Sequence, residues 1–196
     1  MVFPVFLKLE GRRVLVVGAG PVAAGKLRSL LDAGARVTVV APQIASEIEA
    51  QADQIAIVRR PFEARDLDGV WYVVAAAPPA VNRAVSREAE NRGLFVNAVD
   101  DMENATAYLG AIVRRSGVTL AISTDGEAPA LAGLVREALE ELLPDDLGQW
   151  MASAKDARRK WLAEGVPMAE RRPLLLQALN RLYEARAETV ERAETL

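Results

Sequence analysis

The sequence contains neither cysteine nor histidine. The first absence removes disulfides and thiol nucleophiles; the two together remove the usual zinc ligand sets and the catalytic dyads built on imidazole. No remaining side chain titrates near neutrality in its unperturbed state. Any acid–base step must fall to a carboxylate, a lysine, a tyrosine, water or the substrate itself. No tight protein-only site for a soft transition metal is expected, so no metal ligands are assigned. A basic excess is also missing. The 24 Lys+Arg against 27 Asp+Glu leave a formal charge of −3, whereas nucleic-acid binders carry positive surfaces. No apolar run approaches a membrane span, and the opening MVFPVFLKLEGRR lacks the order of a signal peptide. Neither nucleic acid nor membrane is expected as a partner, and cytoplasmic residence is the default.

What is present is enough apolar material for a core. Hydrophobic residues make up 51% of the 196 and charged residues 26%, which suits one large domain or a medium domain with an appendage. Apolar runs alternate with helical patterns through the first hundred residues. Strands are expected at 14–17, 36–40, 55–58, 71–77 and 94–100, with helices at 22–33, 44–52 and 81–92 between them. Near-continuous apolar strands separated by helices indicate a parallel sheet covered on both faces, the doubly wound α/β class. After Asp100 the rhythm changes. AYLGAIVRRSGVTLAIST reads as two strands turning at Ser116-Gly117, antiparallel because no helix intervenes. Pro129 opens a helix to about Leu143, and everything from Leu147 is helical with a break near Gly165. The expected organisation is a nucleotide domain at 1–113, a connecting segment at 114–146 and a helical module at 147–196, whose last ten polar residues fray.

The stretch VLVVGAGPVAAGKLRSLL, residues 14–31, carries two overlapping phosphate signatures. From Gly18 it reads G-x-G-x-x-A, the turn of a dinucleotide site; from Gly20 it reads G-x-x-x-x-G-K, most of a P-loop. A P-loop needs Ser or Thr after its lysine to ligate magnesium, and here Leu27 follows Lys26. In the dinucleotide reading every position has a task. Gly18 makes the tight turn, Gly20 admits the pyrophosphate, Ala23 lets helix and strand pack closely, and the helix N-terminus offers amide donors. The acidic residue that usually follows the second strand and binds the adenosine ribose is absent; VVAPQ stands there instead. No arginine stands there for a 2′-phosphate either, which favours NAD over NADP only slightly.

Three further stretches join this turn: VNRAVSREAENRGLFVNAVDD, GVTLAISTDGEAPALAGLVREALEELLP and LGQW. With FPVFLKLEGRRVLVVGAGPVAAGKLRSLLDAGARVTVVAP they make a chain that resembles the precorrin-2 dehydrogenase family of siroheme biosynthesis, including the corresponding part of fused siroheme synthases. The resemblance implies a Rossmann-like domain, a dimerisation segment and a small helical module, working as a homodimer. It implies oxidation of the tetrapyrrole precorrin-2 to sirohydrochlorin with NAD; some members also insert ferrous iron, and that step stays open here. No stretch resembles the methyltransferase part of the fused enzymes, so precorrin-2 is expected to come from elsewhere. Carried over by position, the cofactor contacts fall on Gly18, Gly20, Pro21, Val22, Pro42 and Gln43. The family's key carboxylate falls on Asp100. A strand-end position on the ligand-binding edge of an open sheet suits that role independently, since a partly buried carboxylate there can accept a proton. Asp101 is the neighbouring decoy.

The chain departs from the family on the substrate side. AAAPP (75–79) stands where members carry AATDD, STDGEAP replaces a glycine-rich loop and leaves Thr124 at a position where some members have serine, and the loop after Asp100 lacks its usual Phe-x-x-Pro. Arg114, Arg115, Thr124 and Arg136 are the candidate substrate contacts, with Arg158, Arg159 and Lys160 as further cations, because guanidinium matches carboxylates. Charge runs on helices also commonly just face solvent. The tryptophans at 71, 150 and 161 are expected in the core or an interface. Two other functions fit the same motifs: a non-catalytic NAD-sensing module, and another NAD(P)-dependent oxidoreductase on the same fold.

Overall fold

The structure is a computed structural model, and it describes residues 2–180. The expected fraying of the last ten residues, and the helical module beyond residue 180, lie outside the described residues. The chain divides into two compact units, Met1–Leu109 and the part from Gly110 onward.

The first unit is a five-stranded parallel sheet. Its strands are β1 (Arg13–Val17), β2 (Arg36–Val40), β3 (Ala56–Val58), β4 (Tyr72–Ala75) and β5 (Phe95–Ala98), in the order β3-β2-β1-β4-β5. Helices α1 (Pro21–Asp32), α2 (Ser46–Glu49) and α3 (Pro79–Glu90) and a short 3-10 helix at Ala64–Leu67 make the connections. The expected doubly wound class is what forms, and its register shows why: Val14 pairs with Val37 and Tyr72, and Val16 with Val39 and Val74. Successive residues of a strand face opposite sides. Val14 and Val16 therefore pack with Ala23, Leu27 and Leu30 of α1, while Leu15 and Val17 pack with Val73, Val85 and Ala89 on the other side. A central strand buried on both faces has no room for polar residues, and RVLVV has none after Arg13.

Two helices differ from expectation at their ends. α2 spans only four residues, against the nine of 44–52. Beyond it the amides of Gln51, Ala52 and Gln54 bond three residues back, to Ile48, Glu49 and Gln51, so the chain tightens into turns instead of propagating an α-helix. Conversely, α3 begins at Pro79, two residues before the expected start. Proline is pre-set for the first helical position and loses no hydrogen bond there.

The second unit pairs β6 (Ala111–Arg115) with β7 (Val118–Ile122), antiparallel as expected, Val113 opposite Leu120 and Arg115 opposite Val118. Ser116 and Gly117 both have positive φ, 50° and 84°, the conformation that matches a two-residue turn to strand twist. Helix α4 (Pro129–Leu142) starts on proline, and α5 (Leu147–Ala163) follows. Residues 168–180 are helical again after the break at Gly165. The Arg115 guanidinium donates from Nη1 to the Leu143 carbonyl at 2.5 Å, satisfying an oxygen at the end of α4 that lacks a helical partner. Among the described residues, no helix is long and apolar enough to cross a membrane.

Candidate dinucleotide and catalytic site

The turn after β1 is shaped by two glycines with opposite requirements. Gly18 has φ +98°, and a Cβ there would overlap the Ala76 carbonyl at the end of β4. Only glycine fits, for reasons of both backbone and space. Its amide donates to the Val40 carbonyl at 2.9 Å, which ties the turn to β2. Gly20 is different. It has φ −87° and ψ −174°, an extended conformation open to any residue, and a Cβ there would meet nothing within 4 Å. The open space above Gly20 lies at the N-terminus of α1. There Pro21 takes the first helical position, no side chain caps the helix, and its first turn holds no acidic residue. The amides of that turn have no acceptor inside the helix, and the helix dipole adds to their pull on an anion. Ala23, fully buried, lets α1 lie close against the sheet.

These features fit a dinucleotide pyrophosphate: an uncapped helix end, space at the second glycine and a strictly glycine turn at the first. Val22 is 49% exposed beside the turn, an apolar surface at the mouth of the site. Pro42 and Gln43 follow β2 on the same sheet edge and are exposed. Arg59, which follows β3, donates from Nη2 to both carboxylate oxygens of Glu49, at 2.5 and 2.7 Å.

Asp100 lies just past the end of β5, on the edge that also carries Gly18 and Gly20, because the strands are parallel. One strand, β4, separates β1 from β5. Two strand spacings put the two strand ends about 10 Å apart. The expectation of partial burial is corrected here: Asp100 is exposed. Its φ of 55° explains why, since the left-handed backbone turns the residue out of the line of the strand. Asp101 is engaged elsewhere; its carboxylate accepts the Asn104 side chain at 2.8 and 2.9 Å and the Asn104 amide at 3.3 Å. Of the two neighbours, Asp100 is the one with an open carboxylate.

Two residues that fix this rim carry no role in the sequence reading. Asn97, buried in β5, donates from Nδ2 to the Ala107 carbonyl at 3.0 Å. Together with the Thr106 hydroxyl, which accepts the Val96 amide at 2.9 Å, it fastens the loop after Asp100 along the outer edge of β5. Asn82, buried in α3, accepts the Ala77 amide on Oδ1 at 2.9 Å and fixes the turn that Gly18 touches. A polar side chain in the middle of an apolar strand or on the buried face of a helix is the signal that marks both. Tyr72 stands at the opposite end of β4, where burial pushes its phenol well above the usual value; it is a core residue, remote from this edge.

The candidate substrate contacts belong to the second unit. Arg114 is exposed, and Arg115 is spent on the Leu143 carbonyl. Thr124 accepts the Ala128 amide on its hydroxyl at 3.2 Å, closing the turn into α4. Arg136 is paired within its own helix, to Glu140 at 2.6 Å and Glu137 at 3.0 Å.

Comparison with known proteins accords with the geometry. Residues 5–111 match the family model NAD_binding_7, described as "Putative NAD(P)-binding". A siroheme synthase of Photorhabdus laumondii subsp. laumondii is 41% identical over 180 residues, 90% of this chain and 38% of that protein. Siroheme synthase 1 of Aeromonas salmonicida is 44% identical over 172 residues, 86% of this chain and 37% of that protein. The chain thus spans well under half the length of these curated relatives. Among solved structures, SirC, a precorrin-2 dehydrogenase, superposes with a TM-score of 0.74 at 28% identity, covering 100% of both chains. The resemblance drawn from the sequence is therefore borne out, and the chain belongs to the NAD(P)-binding family of that model, with siroheme synthases and SirC among its relatives.

Proposed function

We propose that the chain oxidises precorrin-2 to sirohydrochlorin in the cytoplasm, using NAD, and that it works as a homodimer. The observation that carries this reading is the sharing of one sheet edge by the dinucleotide turn and Asp100. In a doubly wound sheet the pyrophosphate sits at the helix N-terminus, and the adenosine ribose lies beyond the second strand. Residues beyond β2 would hold the adenosine half, and Asp100, past the end of β5, would stand on the other side of the pyrophosphate turn. NAD supplies acceptance of a hydride when bound. The chain's own part is to hold the pyrophosphate at Gly18, Gly20, Pro21 and Val22, to meet the ribose with backbone at Pro42 and Gln43, and to take the proton on Asp100. Exposure lets that carboxylate pass its proton on to water.

NAD is preferred to NADP on charge. A 2′-phosphate beyond β2 would need a free cation, and Arg59 on the neighbouring strand end is paired with Glu49. The homodimer is argued from the second unit. Leu131, Leu134 and Leu142 of α4 are 52%, 64% and 76% exposed, a patch that reciprocal packing about a two-fold axis would cover. We assign this role to the segment 114–146, with Arg114, Arg115, Thr124 and Arg136 as its candidate substrate contacts. The proposal is confined to dehydrogenation, and iron insertion stays open.

The deciding experiment is a steady-state assay with precorrin-2 and NAD, followed by NADH absorbance. Turnover is the expected result. Tight NAD binding with no NADH produced would convert the reading to a sensor, and turnover with a different substrate alone would make the chain another oxidoreductase.

A further inference from the structure

The second unit contains a cavity of ≈ 540 Å³ between the β6–β7 turn and α5. Its lining combines an apolar floor with a cationic rim. Met151 lies on the floor against the turn, 3.8 Å from where a Cβ on Gly117 would stand, and Gly148 backs onto the Ser116 side chain. Lys155, Arg158 and Arg159 lie one and two turns further along the same face, the spacing that brings side chains of a helix into register. Asp156 is the one acid in the lining, and it is taken by Arg159 at 2.6 Å. Lys155 and Arg158 form no ion pair or hydrogen bond among the described residues. The cavity therefore presents two uncompensated cations above a methionine and an alanine, in a chain whose net charge is −3.

An apolar floor with two free cations on its rim complements an organic molecule that carries an apolar body and several carboxylates. Inorganic anions would leave the floor uncovered, and a purely apolar ligand would leave the cations unpaired. We propose that this cavity binds carboxylate arms of a tetrapyrrole, with Lys155 and Arg158 each taking one carboxylate and Met151 and Ala152 lying against the ring edge. The identity of the occupant rests on the dehydrogenase reading; the cavity's preference for a polycarboxylate does not. Guanidinium matches a carboxylate bidentately and ammonium as a point charge, so Arg158 sets orientation and Lys155 adds attraction.

The test uses the full chain and uroporphyrin, a stable porphyrin ringed with carboxylates, with binding followed by fluorescence polarisation. Lys155→Gln and Arg158→Gln together should weaken binding at least tenfold, Arg158→Lys should recover part of it, and raised salt should weaken the wild type more than the double variant. Arg172→Gln, an exposed cation of the second unit outside the lining, serves as the control and should change little. Unaltered binding in the double variant, or no binding by the wild type, overturns the proposal. Competition by citrate at concentrations equal to the porphyrin also overturns it, since it would assign the cavity to small polycarboxylic acids. NADH formation from precorrin-2 is measured alongside on the same proteins. Charge-dependent porphyrin binding without turnover would keep this site and remove the dehydrogenase reading; turnover with porphyrin binding unaffected by the substitutions would do the reverse.

Discussion

The two units use their apolar residues in different ways. In the first, every strand contributes side chains to one or both of two cores on the faces of a single sheet. Val16, Val39, Val73, Val74 and Val96 are fully excluded from solvent. From Gly110 onward, the buried hydrophobics among the described residues are Val113, Ala132 and Leu147, while Leu131, Leu134, Leu142, Leu162 and Met168 stand exposed. A parallel sheet with helices on both sides closes its own core. A two-stranded hairpin with helices does not, because a two-stranded sheet is marginal alone and needs something packed on its face. The first unit closes its core on its own sheet, whereas the second leaves apolar side chains exposed that the proposed homodimer would cover.

The largest effect is expected inside the first unit. Gly18→Ala forces a side chain into the left-handed region and onto the Ala76 carbonyl, which should cost on the order of 3 kcal/mol of stability. Gly20→Val, two residues on, should leave the melting temperature near wild type, because its backbone is extended and the space above it is open. The same change should weaken NAD binding by at least about a hundredfold, since the valine occupies the pyrophosphate position. Lys26→Ala should leave NAD affinity almost untouched. Thermal denaturation and calorimetric titration on the three variants separate these outcomes. Equal stability of the two glycine variants, or tight ATP binding lost on changing Lys26, would break the dinucleotide account of the turn.

The fold was legible wherever burial on both faces leaves no choice of residue. VLVV, VTVV and YVVA form the strands that their apolar runs predict, and helices α1 and α3 follow from spacing and from Gly34 and Gly93 as stops. The turn chemistry at Gly18 and Gly20 was legible because glycine and proline restrict the backbone directly. The rim around Asp100 was much less so. Its exposure depends on a left-handed φ at a non-glycine residue, which no pattern announces. The loop at 101–109 has no periodicity, and Asn97, Thr106 and Asn104 fix it through hydrogen bonds to positions that only the folded chain brings near. Arg136 and Thr124 show the converse. Arg136 was a candidate by residue type and Thr124 by resemblance, and in the folded chain each bonds a neighbour on its own helix or turn, a competition that sequence spacing can raise but not decide.

Breaking the second unit should spare the first. Leu134→Asp puts a charge in the middle of the exposed α4 patch and should weaken self-association by a few tens-fold, about 2 kcal/mol. Sedimentation should show the mass of the protein halve at micromolar concentration, while NAD affinity stays within about a factor of two. A protein that is already a monomer before the substitution would remove the dimer from the proposal and leave the patch on α4 unexplained.

A change at the rim alters chemistry with neither unit's packing disturbed. Asp100→Asn keeps the size and the turn-forming tendency of the residue, since Asn tolerates left-handed backbone well. It removes the proton acceptor. NADH formation should slow roughly tenfold or more, with NAD affinity unchanged. Exposure places the loss at the low end of what general bases contribute, because water can accept the proton instead. A full-rate Asp100→Asn enzyme would return Asp100 to a turn-forming role.

The smallest effect concerns acid stability, and it too separates the units. In the first, Arg60 holds Asp66 in a two-pronged pair, at 2.5 and 2.9 Å, and Asp66 also accepts the Glu63 amide. The Arg60 hydrogen bonds, with that amide, hold the Asp66 carboxyl below its usual value. A carboxylate with a lower pKa in the folded chain stabilises it at any pH above the unfolded pKa, and the benefit fades as pH falls through the folded one. The pair is thus at full strength at neutral pH and fades below about pH 4, the range where free Asp protonates. Asp66→Asn should lower the melting temperature slightly at pH 7 and not at all near pH 2, so that the two proteins' curves converge on the acid side. The shift should appear in the unfolding of the first unit, monitored by release of bound NAD, because Asp66 caps the 3-10 helix that leads into β4. Parallel curves from pH 7 down to pH 2 would show that Asp66 acts by shape alone, and that its charge contributes nothing to closing the first unit.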